Sequence, residues 1–461
     1  METCVKNLLL QKGYTVNEKA MAVIRACDDW YANRTIKRFH ERTTIQGMPY
    51  KMRHMNMAKR CCADDANLCE VVEINAGKNR QQNDYVNGVL RDSNFDTNYR
   101  SQLEKTSGSG TVACYVRLDN VEFMDNGTTR GGVVRLNYVD GECYMPLTVD
   151  NGIVREAAFS GSSIYKGKKR TTLVIFTLED GRYRSDTHVF DEHGTEIMGE
   201  NIEVQLGEVK PFAVMRNAEV NNLDDMDGYG LPKIWNAVPF LEAADLCYNI
   251  LRGDLDKGEK IVLLNELLCK FDDSGKPITP NEQIKKTFVM LGEKLPDAET
   301  VVHEYNPEIR TDQITKAFEL VLSMLSTMFG YGTKKYNFEN GQIKTATEYA
   351  GERQDAMQEL NKQRYEATQY ITDIVKAIRW FSNQFLGTAW DVEEEVSIEF
   401  DDSYIEDKKA KTEQMRNDAL SFDIPQLTVW YLMDAYNLSE DEAKQLIEAK
   451  EAQKENEDPQ D

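Results

Sequence analysis

Residues 340–357 read NGQIKTATEYAGERQDAM, and the organisation of the chain turns on how this stretch is read. Thr345 stands three positions before Glu348, the spacing of a capping box. The threonine hydroxyl can accept from the Glu348 backbone N–H while the glutamate reaches back to the Thr345 N–H. After residue 357 no glycine or proline intervenes until Gly387. The spacing therefore predicts one helix of roughly forty residues, about 60 Å at 1.5 Å per residue. Its apolar positions sharpen late, at Ile371, Ile374, Ile378, Phe381 and Phe385, while the first half is polar nearly all round. A helix of that kind is expected to span between bodies or to pack against copies of itself.

Working outward, STMFGYGTKKYNFE precedes the helix start, a glycine-bracketed loop with adjacent lysines. Before it, Thr311 is expected to cap a helix with Ile314, Ala317, Phe318, Val321, Leu325 and Met328 on one face. Asp312, Lys316, Glu319, Ser323 and Ser326 form the opposite, polar face, and Gly330 ends the helix. Earlier still, Ile234, Val238, Leu241, Asp245, Tyr248 and Leu251 mark a narrow helical stripe that an aspartate interrupts. Pro239 predicts either a kink or the true start of that helix. Between the two helices KIVLL, TFVML and TVVHEY read as short strands.

Residues 1–106 read as helices, with a capping box at Thr15 and Glu18. A stripe follows from Val16, Ala20, Val23, Ile24, Cys27, Trp30 and Tyr31, and a second helix is expected from Asn56 to Glu70. From Gly110 the period becomes two, with hairpin signals at Asp140-Gly141, Asn151-Gly152 and Asp180-Gly181, so residues 110–216 are expected to be mostly antiparallel β. After the long helix come a strand, EVSIEF, and helices near 404–420, 426–436 and 440–455.

Composition bounds the class. The chain has 461 residues, 41% of them hydrophobic, enough for real cores and for about three domains. No apolar run approaches the ~18 residues of a membrane span. The opening METCVKNLLLQKG has neither a basic region nor a small-residue cleavage site, so no secretory leader is expected. Nine cysteines, an odd number, fit reduced core residues in a cytoplasmic protein; Cys61 and Cys69 would lie roughly 12 Å apart along one helix, beyond disulfide reach. The net charge of −23 opposes long-range attraction to a DNA duplex, which argues against a sequence-reading DNA binder but not against a surface past which DNA slides.

Signals for catalysis fail one by one. SGSGTVA at 107–113 leads into a strand, whereas a phosphate cradle joins a strand to a helix. GYGTKK at 330–335 lacks P-loop spacing. Around Asp225, Asp227 and Gly228, a calcium loop would need ligands where Leu223 and Ile234 stand. Asp401 and Asp402 follow an apolar strand without a Walker A partner. His188 and His193 lie near a hairpin, and His40-Glu41 is not followed by the second histidine of a zinc helix. No catalytic residue, metal or cofactor is expected.

The order of parts resembles the portal, or head-to-tail connector, proteins of tailed double-stranded DNA phages, closest to those of long-tailed phages of Gram-positive hosts. The resemblance rests on NPEIRTDQITKAFELVLSMLSTMFGYGTKKYNFENGQIKTATE at 306–348. It is supported by PFAVMRNAEVNNLDDMDGYGLPKIWNAVPFLEAADL at 211–246, by VSIEFDDS at 396–403, and by DDWY and MNMAKRCCADDAN near the start. It implies an α+β, mainly α, ring-forming subunit. Residues 1–109 would be a helical wing region, 110–216 an antiparallel β wing region, 217–256 the wing connection and first stem helix, and 257–310 a small α/β clip. Residues 311–329 would be the second stem helix, 330–344 the tunnel loop, 345–390 the long wing and channel helix, and 391–461 a strand and helical crown with an acidic tail. Lys334, Lys335, Tyr336, Asn337 and Lys344 would belong to the loop in the channel. Asp312, Lys316, Glu319 and Ser323 would face the channel from the stem, and Thr345 and Glu348 would cap the long helix. Tyr336 and Phe338 are expected to pack the loop against the long helix rather than stack on bases.

The implied partners are copies of the chain itself in a homo-oligomeric ring of twelve, double-stranded DNA without sequence preference, the terminase motor, capsid or scaffold proteins, and head-completion adaptors. No membrane is implied, and the place is the portal vertex of the virion, reached through the host cytoplasm during assembly. Two other readings of the residues stand beside this one. A non-portal coiled-coil structural or scaffold protein of a virion predicts no closed ring, and a DNA-processing enzyme using Asp401 and Asp402 predicts metal-dependent cleavage or nucleotide hydrolysis.

Overall fold

A computed structural model describes residues 2–44, 47–123, 129–258, 261–265, 273–274, 288–291, 302–305, 309–333, 335–336, 346–401, 408–422, 424–436, 438 and 442–447. About half of the chain is helical and about a quarter is strand, a mixed α and β architecture. It divides into two compact units, residues 1–67 with 75–396, and residues 68–74 with 397–461.

The first unit opens with helices α1 (Thr3–Gln11), α2 (Glu18–Tyr31) and α3 (Lys37–His40), followed by the short strands β1 (Glu41–Thr43) and β2 (Pro49–Lys51). Helices α4 (Met57–Ala66), α5 (Arg80–Asp92) and α6 (Phe95–Ser109) complete its N-terminal part, while strand β3 (Val71–Asn75), between α4 and α5 in the chain, falls almost wholly in the second unit. The expectation of helices alone for residues 1–106 is thus corrected by three short strands. The cap of α2 is also corrected. Asn17, not Thr15, accepts from the Ala20 N–H at 3.0 Å, because the helix starts at Glu18 and places Asn17 at its cap. Of the expected stripe, Ala20, Ile24, Cys27 and Trp30 are buried, joined by Met21. Asn56 opens α4 with φ of 67° and no side-chain cap, and α4 ends at Ala66 rather than Glu70.

The β region holds β4 (Thr111–Asp119), β5 (Glu122–Phe123), β6 (Thr129–Arg130), β7 (Val133–Asp140), β8 (Tyr144–Asp150), β9 (Ile153–Tyr165), β10 (Lys168–Glu179), β11 (Arg182–Phe190), β12 (Ile202–Gln205) and β13 (Phe212–Arg216). All its pairings are antiparallel, in a five-stranded sheet ordered β12-β11-β10-β9-β8, a three-stranded sheet β13-β4-β7, and the short pair β5-β6. Asn151-Gly152 and Asp180-Gly181 make two-residue hairpin turns with both residues at positive φ, as expected. Lys166-Gly167 makes a third such turn. Asp140-Gly141 does not make a hairpin: β7 and β8 belong to different sheets, and the chain crosses between them through a turn of 3₁₀ helix at Gly141–Cys143. The middle of the five-stranded sheet is buried on both faces. Leu173 and Ile175 pack with Val5 and Leu9 of α1, while Phe176 and Phe159 meet Phe212 of the other sheet at ring separations of 5.8 and 5.5 Å.

Beyond the sheets, α7 (Lys233–Lys257) and α8 (Thr311–Met328) flank strands β14 (Ile261–Asn265), β15 (Phe288–Leu291) and β16 (Val302–Tyr305). β14 pairs parallel with β15 and antiparallel with β16. Pro239 lies inside α7, which already begins at Lys233. The residue before α8 is Arg310, with no side-chain cap, so Thr311 is the first helical residue and not the cap.

Helix α9 spans Ala346–Leu386, 41 residues. Its second half is buried on most of its circumference and not on one stripe. Tyr370, Ile371, Ile374, Val375, Ala377, Ile378, Arg379, Phe381 and Ser382 are all buried. That half is therefore held by the core of its own chain. Arg379 completes the packing: its Nη1 donates to the carbonyls of Glu394 at 2.7 Å and Val392 at 3.3 Å, folding the following loop back onto the helix. Eight cysteines among the described residues are free thiols, five of them buried.

In the second unit β3 pairs with β17 (Ser397–Phe400), and the Asp401 N–H donates to the Glu70 carbonyl at 2.8 Å. Helices α10 (Lys408–Phe422) and α11 (Pro425–Tyr436) follow. Thr412 on α10 donates to Asp434 on α11 at 3.2 Å, and Val429 is buried while Phe422, Trp430 and Tyr436 stay exposed.

Candidate functional site

Helices α7 and α8 run antiparallel, as their end contacts require. At one end the Arg310 guanidinium grips Asp254 with donors at 2.8 and 3.0 Å. At the other, Asp65 of α4 accepts from both Lys233, the first residue of α7, at 2.8 Å and Tyr331, just past α8, at 3.1 Å. The pair is buried at this second end, through Ile234, Ala237, Leu241, Leu322 and Leu325, and exposed toward the first. Lys233 is only 4% exposed. Burial works to lower its pKa, but Asp65, with Glu359 and Glu219 behind it, outweighs burial and leaves the pKa raised.

Of the polar face expected on α8, Asp312 and Lys316 are exposed, and Glu319 and Ser323 are partly exposed. Ser326 is wholly buried, because it stands one position from Leu325 on the side turned into the body. The outward face is also less polar than the sequence pattern suggested, since Leu320 and Met324 are 58% and 43% exposed.

The loop after α8 begins at Gly330, whose φ of +80° ends the helix, and turns again at Gly332 with φ of +69°. Tyr331 is buried and its N–H donates to the Ser326 carbonyl at 3.0 Å. Tyr336 donates to Asp64 Oδ2 at 3.2 Å, with the Cys61 thiol beside it. Its phenol is thus held by α4. Lys335 is exposed, its Nζ 5.4 Å from the centre of the Tyr331 ring. Lys334, Asn337, Phe338, Lys344 and Thr345 lie outside the described residues, as does the side chain of Glu348.

A second polar constellation was not foreseen as a group. His40 Nε2 and His54 Nδ1 lie 3.0 and 3.4 Å from Asp245 Oδ2, and the Met55 N–H donates to Asp245 Oδ1 at 2.7 Å. One helical turn further on, Asn249 exchanges two hydrogen bonds with the backbone of Arg53. Asp245 and Asn249 together string residues 53–55 along α7. The Ile36 N–H points at His40 Nδ1, 3.2 Å away, which makes Nδ1 the acceptor and Nε2 the protonated nitrogen facing Asp245. A metal at His40 Nε2 would force a proton onto Nδ1, against the Ile36 N–H. Although three candidate ligand atoms lie within 4.8 Å of one another, the donor pattern is that of a hydrogen-bonded clamp. The interruption of the α7 stripe at Asp245 was its only sequence signal.

The other sequence candidates do not converge on a site. Asp225 pairs with Lys19 at 2.5 Å, and His188 pairs with Glu196 at 2.6 Å. Gly110, the last residue of SGSG, caps α6 in the left-handed region and turns the chain into β4. Among the described residues no helix is long and apolar enough to cross a membrane. No family profile matches the chain, and no curated protein matches its sequence.

Proposed function

We propose that this chain is the subunit of a portal: a closed homo-oligomeric ring through which double-stranded DNA is packaged and ejected. The observation that carries the reading is the succession of an antiparallel helix pair around a small three-stranded excursion, a loop turned at Gly330 and Gly332, and a 41-residue helix. In this reading α7 and α8 are the stem and residues 257–310 the clip that docks the terminase and then the head-completion proteins. Residues 330–344 are the tunnel loop, and α9 leads outward from the channel.

Two further features support it. The helix pair leaves Leu255, Leu320 and Met324 exposed, an apolar surface that neighbouring copies would cover. The acidic balance keeps the conduit from holding its cargo, since each strong phosphate contact would slow the DNA.

Contacts around such a ring are head-to-tail, and with −23 per copy assembly improves as salt screens repulsion. Negative-stain microscopy of the purified protein in moderate salt should resolve rings with a central hole. A stable monomer by light scattering at high concentration, or open filaments without a hole, would favour a coiled-coil scaffold instead.

A further inference from the structure

We infer that the adjacent carboxylates Asp64 and Asp65 of α4 are the positioning residues that seat the described start of the loop after α8, through Tyr331 and Tyr336. Neighbouring positions on a helix point about 100° apart, and here the two acids address different partners. Asp65 takes Tyr331 and Lys233, at 3.1 and 2.8 Å. Asp64 takes Tyr336 at 3.2 Å while Arg60, one turn back, holds it with donors at 3.0 and 3.1 Å. Tyr331 and Tyr336 are thus both fixed to α4, and their rings meet edge-on at 6.3 Å.

The seat decides where Lys335 stands. With both flanking phenols tied to α4, Lys335 is left exposed, its ammonium over the Tyr331 ring at 5.4 Å. Because Lys233 begins α7, a single Asp65 oxygen also ties the root of the helix pair to the root of the loop. A shift of either root strains the same carboxylate. The functional weight of this arrangement rests on the ring reading; the seat itself does not.

Trypsin tests it directly. Cleavage of the Lys335–Tyr336 bond requires Tyr336 to leave α4, so its rate in the native protein follows the population of the released loop. Tyr336→Phe keeps the ring and removes the hydrogen bond to a charged group. It should speed this cleavage about tenfold or more, and Asp64→Asn should do the same. The exposed Lys166–Gly167 bond, in a hairpin turn, serves as the reference, and its rate should not change. Asp65→Asn strips a buried lysine of its counter-charge and is expected to lower global stability, so it is not the informative variant. Equal rates in Tyr336→Phe and the parent protein would overturn the proposal, as would equal acceleration at both bonds. Microscopy of the parent protein separates the two ideas: absence of rings there counts against the ring reading and leaves the seat standing.

Discussion

His40 and Asp245, 205 positions apart, meet at 3.0 Å in the interior, and the carboxylate that joins them also holds His54 and the Met55 backbone. This contact stitches the end of α3 and the segment that follows it to the middle of α7. The tautomer is fixed from behind by Ile36, so the site accepts only an acceptor at position 245.

Asp245→Asn should therefore be nearly as harmful as Asp245→Ala. The new amide can satisfy Met55 with its oxygen only by turning its NH₂ toward the His40 Nε2–H. Each variant should lose roughly 3 kcal/mol, the cost of breaking hydrogen bonds to a buried charged group. Denaturant unfolding measures this, and an asparagine variant within about 0.5 kcal/mol of the parent would refute the assigned tautomer.

Burial lowers the pKa of His54 below its ordinary 6.5, and the nearby His40 lowers it further, while Asp245 pulls the other way. The unfolded chain then binds a proton near pH 6.5 that the folded chain refuses. Stability from this group is full above that pH and is lost as pH falls below it. His54→Gln should flatten the fall in melting temperature between about pH 6.5 and 5. An unchanged slope would assign the acid sensitivity elsewhere.

Asp28 behaves in the opposite sense. Burial raises its pKa to about 7, helped by Glu142 and Asp140, with Asp29 adding and Arg34 opposing. The unfolded chain releases this proton near 3.8, so stability falls as pH rises from about 4 toward 7. Asp28→Asn should gain on the order of 1 kcal/mol at pH 8 and nothing near pH 4. A gain of the same size at both values would point to packing and not to charge.

Gly110 and Gly152 both have positive φ, at +82° and +77°, but their surroundings differ. A methyl at Gly110 overlaps the Gly230 carbonyl and crowds Pro232, while one at Gly152 meets open space. Gly152→Ala should cost about 1 kcal/mol of backbone strain. Gly110→Ala should cost several times more, because two backbones must separate. Equal melting temperatures for the two variants would contradict the close approach.

Changing Lys334, Lys335 and Lys344 together to alanine should leave assembly intact while impairing DNA packaging or retention. Each lysine repeated around a ring would touch passing phosphates with salt-sensitive strength. Normal packaging by the triple variant would leave these lysines a purely structural role.

Helix boundaries were largely legible because glycine, proline and periodicity punctuate them, as at Gly330 and Gly387. Turn dipeptides were legible when the chain paired with its immediate neighbour, as at Asn151-Gly152. Asp140-Gly141 has the same chemistry, but its flanking strands join different sheets, and no local signal distinguishes the two cases. Lys166-Gly167 escaped notice because lysine is not a usual residue for a left-handed position. Asp245 announced itself by interrupting an apolar stripe, yet nothing in the sequence named His40 or His54 as its partners. The same holds for Asp64 and Asp65, read as ordinary acids on a helix until the fold brought two tyrosines to them. Side-chain pairs that span hundreds of positions have no period to read.

The reach of these pairs also bears on how the chain is made. Gln82 of α5 bonds Glu394, 312 positions later, and His40 awaits Asp245. At a translation rate of 5–20 residues per second, the N-terminal helices wait roughly 15–60 s for the last of these partners to be synthesised. The β8 to β11 meander, with its three two-residue turns, needs no such delay and can close as it leaves the ribosome. Until α7 is made, His40 and His54 stand without the Asp245 carboxylate they meet in the finished protein. Lower growth temperatures should therefore raise the soluble yield of the full chain, by slowing aggregation of the part-made fold.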